Sequence, residues 1–143
     1  MSPIDYKAYA YAIREQAQQH LSGLDELTNT LAERPLSFNE KNATERSLQV
    51  LVEIVIGCAK HTLKSQGKPQ PSEANVAVTR AYEILQPIIP TLQQLTKAVG
   101  MRNTIIHDYL NIDWDIFESV MTQKKYHDLM GFIEAAIQFL LKQ

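Results

Sequence analysis

Cysteine is almost missing from this chain of 143 residues, where Cys58 stands alone. A single thiol excludes an intrachain disulfide and any cysteine-rich metal cage, and it suits a reducing cytosol. Positive charge is not in excess either: Lys and Arg number 14 against 16 Asp and Glu, a formal net charge of -2. Proteins that coat nucleic acid draw most of their non-specific affinity from neutralised phosphates, so any contact of this chain with RNA has to be local. Long apolar runs are lacking too. The longest, around Leu51 to Ala59, is interrupted by Glu53 and falls well short of the roughly 20 residues that span a bilayer. The opening Met1-Ser2-Pro3-Ile4-Asp5-Tyr6 has neither the charged n-region nor the apolar h-region of a secretory leader. A cytoplasmic protein with no membrane segment is expected. Strand-like alternation, internal repeats and low-complexity tracts are absent as well. What remains is ordinary globular composition, 45% hydrophobic and 21% charged, in a single domain over residues 1–143. A chain of this size buries roughly 70% of the surface that it exposes when unfolded.

The apolar residues that are present recur with helical period. Tyr6, Ala10, Ile13, Ala17, His20, Leu24, Leu27 and Leu31 step by four and three, the seam of a long helix packed nearly parallel or antiparallel to a neighbour. Arg34-Pro35 ends it. Ser37 and Glu40 have capping-box spacing, and a second series runs through Leu48, Leu51, Val52, Val55, Ala59 and Leu63. Gly67, Pro69 and Pro71 mark a loop. A third helix is expected from about Glu73 to Gln86, stopped by Pro87 and Pro90, with Thr91 capping a fourth. After Asn111, Asp113 or Asp115 can cap a last helical region that carries Phe117, Val120, Leu129, Ile133, Ile137 and Leu140. The architecture predicted is all-α: an antiparallel bundle of four long helices plus a short one.

The fourth helix carries the chemistry. Its run Arg102-Asn103-Thr104-Ile105-Ile106-His107-Asp108-Tyr109 sets a permanent cation and a near-neutral acid/base beside a phenol, in an otherwise apolar segment. Asn103 and His107 share a face at i and i+4. Arg102 and His107, five residues apart, lie about 140° apart around an ideal helix. Either the helix unwinds near its end or a second copy of the chain completes the site, as a two-fold dimer would. The remaining histidines have bland readings. His20 falls on the apolar seam as a satisfied core or interface residue, His61 and His127 read as solvated or helix-end residues, and no two histidines have the i, i+4 spacing of a metal pair. Lys60, Lys64 and Lys68 read as a solvated basic stripe, and Tyr6, Tyr9 and Tyr11 as packing.

The pattern Arg-Asn-x-x-x-His-x-Tyr at 102–109, preceded by Glu45-Arg46-x-Leu48-Gln49 and followed by Ile112-Asp113, resembles the HepT-like branch of the HEPN superfamily. The resemblance covers about Phe38 to Val120, and the first and last helices match in character. It implies a HEPN-like fold and the toxin of a type VII-like toxin and antitoxin pair, a metal-independent endoribonuclease that works as a homodimer and needs no cofactor. It also implies a partner, a small nucleotidyltransferase of the minimal type, which neutralises the toxin by attaching AMP to the tyrosine after the histidine, here Tyr109.

Under that resemblance His107 takes the proton of an RNA 2′-hydroxyl or returns one to the leaving 5′-oxygen. A dimer supplies two such histidines. Arg102 clamps the scissile phosphate, and Asn103 orients His107 or binds phosphate through its amide. The product is a 2′,3′-cyclic phosphate, and DNA is spared for want of the 2′-hydroxyl. Asp108, Asp113 and Asp115 make an acidic neighbourhood that is poorly suited to RNA. The competing class is a non-catalytic helical partner, or nucleotide-binding module, of a nucleotidyltransferase. Retention of both Arg102 and His107 favours the enzyme.

Overall fold

Side-chain caps start most of the helices. In the computed structural model, which describes residues 5–143, the Asp5 carboxylate accepts from the backbone N–H groups of Lys7 and Ala8 and opens α1, Tyr6–Glu33. The reading of Met1 to Ile4 as no leader lies outside the described residues. Ser37 and Glu40 form the capping box expected of them and open α2, Phe38–Ser65. Thr91 and Gln94 form a second box at the head of α4, Leu92–His107, and Asp113 caps α5, Trp114–Thr122. Each cap satisfies amide donors that a helix start otherwise leaves without partners.

The stops are equally local. At the end of α2 the Gly67 amide donates to Lys64 and the Lys68 amide to Leu63, a Schellman closure that needs the left-handed backbone glycine supplies at φ +67. Between α3, Ala74–Leu85, and α4 runs the loop of Pro87 and Pro90. Its Ile89 carbonyl presses on α6, Leu129–Leu141, at Gly131, where a Cβ would meet the Ile89 oxygen at 1.9 Å.

α2 is the central helix and packs on α1, α3, α4 and α6. It runs antiparallel to α1, as the pairs Tyr9 with Cys58 and His20 with Ser47 show. α6 returns antiparallel to α1, clipped by a two-point ion pair from Arg14 to Glu134. Leu24, Leu48, Leu51, Leu63, Leu95, Phe132, Ile133 and Ile137 fill the space between them. Burial of side chains of this size contributes about 1.5–3 kcal/mol each relative to exposure.

The expected all-helical bundle is present, with one helix more than the sequence indicates. The last region is divided: Lys124 takes a left-handed backbone at φ 52, and a 3-10 turn at Lys125–Asp128 separates α5 from α6. Asp25 of α1 holds that turn. Its carboxylate accepts from the Tyr126 hydroxyl at 2.5 Å and bonds His127 Nε2 at 2.7 Å. His127 is the part-solvated, helix-end residue expected, and it also ties α1 to the turn before α6. His61 departs from expectation, because its ring packs on Tyr9 at 4.2 Å between centroids and meets Tyr6 in a T-shaped contact, and its Nδ1 is buried without a partner among the described residues. His20 is satisfied by Ser47 at 3.0 Å, as read. Tyr6 and Tyr9 pack, whereas Tyr11 is exposed.

Candidate functional site

α4 is held by its first half. Of its sixteen residues only Leu95 and Val99 are fully buried, and they seat the helix against α2 and α3. The second half projects the Arg102 to His107 segment along an open surface, with Met101 and Ile105 half-buried beneath it. The helix stays regular to His107. Asp108 ends it, with its amide bonded to the Thr104 carbonyl at 2.9 Å, and a 3-10 turn at Tyr109–Asn111 follows. Helical geometry up to His107 leaves Arg102 and His107 on different faces, about 140° apart.

Arg102 and Asn103 are brought together. Arg102 Nη1 donates to Asn103 Oδ1 at 2.5 Å, and Arg102 Nε donates to Glu53 of α2. The guanidinium stem is largely covered, with the side chain 18% exposed, while Nη2 meets no protein acceptor among the described residues. His107 is exposed in the last turn of α4 and bonds neither Arg102 nor Asn103. The Asn103 amide oxygen thus faces Arg102, not His107.

Tyr109 stands half exposed on the 3-10 turn. Glu45 of α2, through hydrogen bonding and then through its charge, raises the Tyr109 phenol above its ordinary value. Glu45 is the one charged side chain that is buried among the described residues. The two acids therefore meet the motif in register. Glu45 and Glu53 lie eight residues apart on one face of α2, and Arg102 and Tyr109 seven apart on the antiparallel α4 and its turn, spans of about 12 and 10 Å. Sequence reasoning quoted Glu45 within a motif and Glu53 as a break in an apolar run, without a role for either. The signal available was a carboxylate set into an otherwise apolar helix face.

The acidic neighbourhood is partly occupied. Asp108 accepts from the Asn111 amide at 2.6 Å, and Asp113 accepts from the Asp115 amide N–H at 3.0 Å. Across the turn, Trp114 packs on Phe117, and Lys41 Nζ lies 5.3 Å from its ring centroid. No three His, Cys, Asp or Glu side chains converge as a metal site among the described residues. No described helix is long and apolar enough to cross a membrane.

A helical bundle that carries Arg-Asn-x-x-x-His-x-Tyr over the end of its fourth helix and the turn after it defines a class of HEPN-like domains. The chain matches the family model described as Ribonuclease HepT-like over residues 15–136, and it belongs to that family. No curated protein sequence matches it. Two solved structures share the fold. One is a toxin–antitoxin complex with AMP-PNP, 20% identical, covering 94% of this chain and 99% of that one at a TM-score of 0.75. The other is the tri-AMPylated HEPN toxin of Shewanella oneidensis in complex with its MNT antitoxin, 21% identical, covering 93% and 97% at a TM-score of 0.78.

Proposed function

We propose that this protein is the toxin of a toxin–antitoxin pair, a metal-independent endoribonuclease that acts as a homodimer and is silenced by AMP placed on Tyr109. The observation that carries the reading is the pairing of family membership over residues 15–136 with an Arg102 and His107 presented on the open end of α4. A nucleotidyltransferase antitoxin is the proposed partner, by likeness to the Shewanella oneidensis toxin bound to an MNT antitoxin.

The chemistry follows from the side chains. One His107 removes the proton of the RNA 2′-hydroxyl, and the 2′-oxygen bonds to phosphorus. The bond to the 5′-oxygen breaks, a second His107 from the partner protomer protonates that oxygen, and a 2′,3′-cyclic phosphate remains. Arg102 directs its open Nη2 at the phosphate as charge builds there. Asn103 supports Arg102 through its Oδ1. Because α4 is regular through His107, unwinding is not available to join Arg102 with the histidine of its own chain. A two-fold axis near α4 supplies the histidine from a second copy.

Tyr109 suits control. Its ring is half exposed, its hydroxyl is held by Glu45 and has to leave that bond to accept AMP, and it lies about two helical turns from Arg102. A phosphodiester there adds an anion and a bulky base where the RNA backbone must pass.

The test uses purified protein, labelled RNA and EDTA. Wild type is expected to cleave with chelator present, while Arg102→Ala and His107→Ala each lose about 10²-fold or more in rate with helicity unchanged. Tyr109→Phe is expected to cleave as wild type does and to take up no AMP from ATP and the antitoxin. Cleavage that stops with EDTA and returns with metal, or AMP on another tyrosine, would overturn the corresponding part.

A further inference from the structure

The geometry points to Glu53 as the positioning residue of the site: it fixes the plane of the Arg102 guanidinium so that the Nη2 edge faces the phosphate. The inference rests on the ribonuclease reading for its consequence, although the contact itself is structural. Arginine carries five N–H donors in a rigid fork on a flexible stem. Without a partner on another helix that stem is free to sample several rotamers, and a ligand that binds has to order it.

In this structure the ordering is already done. Nε is bonded to Glu53 and Nη1 to Asn103 Oδ1, so two of the three nitrogens are committed and the third is presented. Neither acceptor alone suffices. Asn103 sits on the same helix and moves with Arg102, whereas Glu53 belongs to α2, the central helix, and ties the guanidinium to the rigid part of the bundle. Apart from Arg102, the Glu53 carboxylate has no hydrogen-bond partner among the described residues, and its side chain is 43% exposed. The carboxylate is thus open to solvent on one side, while the guanidinium that it holds is largely covered.

The arrangement has opposed effects that separate in kinetics. Glu53 orients Arg102, which favours turnover, and its negative charge beside the guanidinium opposes an incoming phosphate, which weakens binding. Glu53→Gln keeps an acceptor oxygen and removes the charge. Glu53→Ala removes both. Against RNA, Glu53→Gln is expected to lower KM several-fold with kcat reduced about two- to threefold, whereas Glu53→Ala lowers kcat about tenfold or more. A structural role would shift both variants together and show in their melting temperatures.

A second measurement does not depend on cleavage. The Nε–H resonance of Arg102, followed by NMR in the full chain, is expected to be sharp and slow to exchange in wild type and in Glu53→Gln, and to broaden in Glu53→Ala. Failure of wild type to cleave any RNA, with that NMR pattern intact, would remove the ribonuclease reading and leave the positioning contact standing. Equal kcat in wild type and Glu53→Ala, or an Arg102 Nε–H signal indifferent to both substitutions, would overturn the role of Glu53.

Discussion

At the scale of single residues, His61 is a side chain that loses on acidification. Burial, followed by the nearby Lys64 charge, lowers its pKa, and its Nδ1 is buried without a partner among the described residues. The folded protein therefore refuses a proton that the unfolded chain accepts near pH 6.5. Stability from this source is complete above that pH and declines as the pH falls below it. His20, lowered by burial and by Arg46, acts in the same direction. Asp25 belongs to a lower window: burial pushes it up, but hydrogen bonds from Tyr126 and His127 outweigh that and pull it down, so its contribution is lost only in stronger acid. His61→Phe, which retains a ring between Tyr6 and Tyr9, is expected to flatten the loss of melting temperature between pH 7 and 5. Thermal melts across that range check it, and a slope equal to wild type would remove His61 from the account. Cys58, close to Tyr9 and raised by burial to about 12, takes no part in any pH effect in this range.

At the scale of elements, what was legible in the sequence is what is encoded within a few residues. Ser37 with Glu40, Thr91 as a cap, Gly67 after α2 and Asp113 before α5 all work over one turn of chain, and the structure has each in its expected place. The break between α5 and α6 was not legible, because the apolar spacing carries on through it and its cause, Asp25, lies on α1. The same holds at the site. The Arg102, His107 and Tyr109 pattern is a local string, whereas the hold of Glu53 on Arg102 and the burial of Glu45 depend on how α2 meets α4. The loop before α4 gives a prediction of this scale. A Cβ on Gly131 would stand 1.9 Å from the Ile89 oxygen and 2.8 Å from its carbonyl carbon, so backbone rather than a flexible side chain has to yield. Gly131→Ala is expected to cost about 1–3 kcal/mol, read as a lowered denaturant midpoint. An unchanged midpoint would mean that the loop is not seated on α6.

At the scale of the whole molecule, apolar surface is left exposed in several places, and one of them adjoins the site. Ile106 is 43% exposed, Leu110 95% and Ile116 56%, all near the C-terminal end of α4, and the helix buries little in its own chain there. Under the dimer reading this patch meets its two-fold copy. A standard interface covers about 800 Å² on each partner. Leu110→Arg with Ile106→Glu is expected to yield a monomer with an unchanged circular dichroism spectrum and no RNA cleavage. Light scattering on wild type and variant decides it: a monomeric wild type at micromolar concentration would remove the shared cleft.

The placement of α6 has a bearing on the order in which the protein is made. α6 packs on α1, α2 and α3 and supplies Phe132, Ile133, Ala136 and Ile137 to the core, yet it leaves the ribosome after α4. Until it does, the central helix has one face open, and the Arg102 to Tyr109 segment is anchored to a bundle that cannot close. Chains interrupted before Leu129 thus carry the whole motif and lack the core residues that α6 supplies. Under the ribonuclease reading proposed above, synthesis puts the motif on the chain before the helix that completes its scaffold.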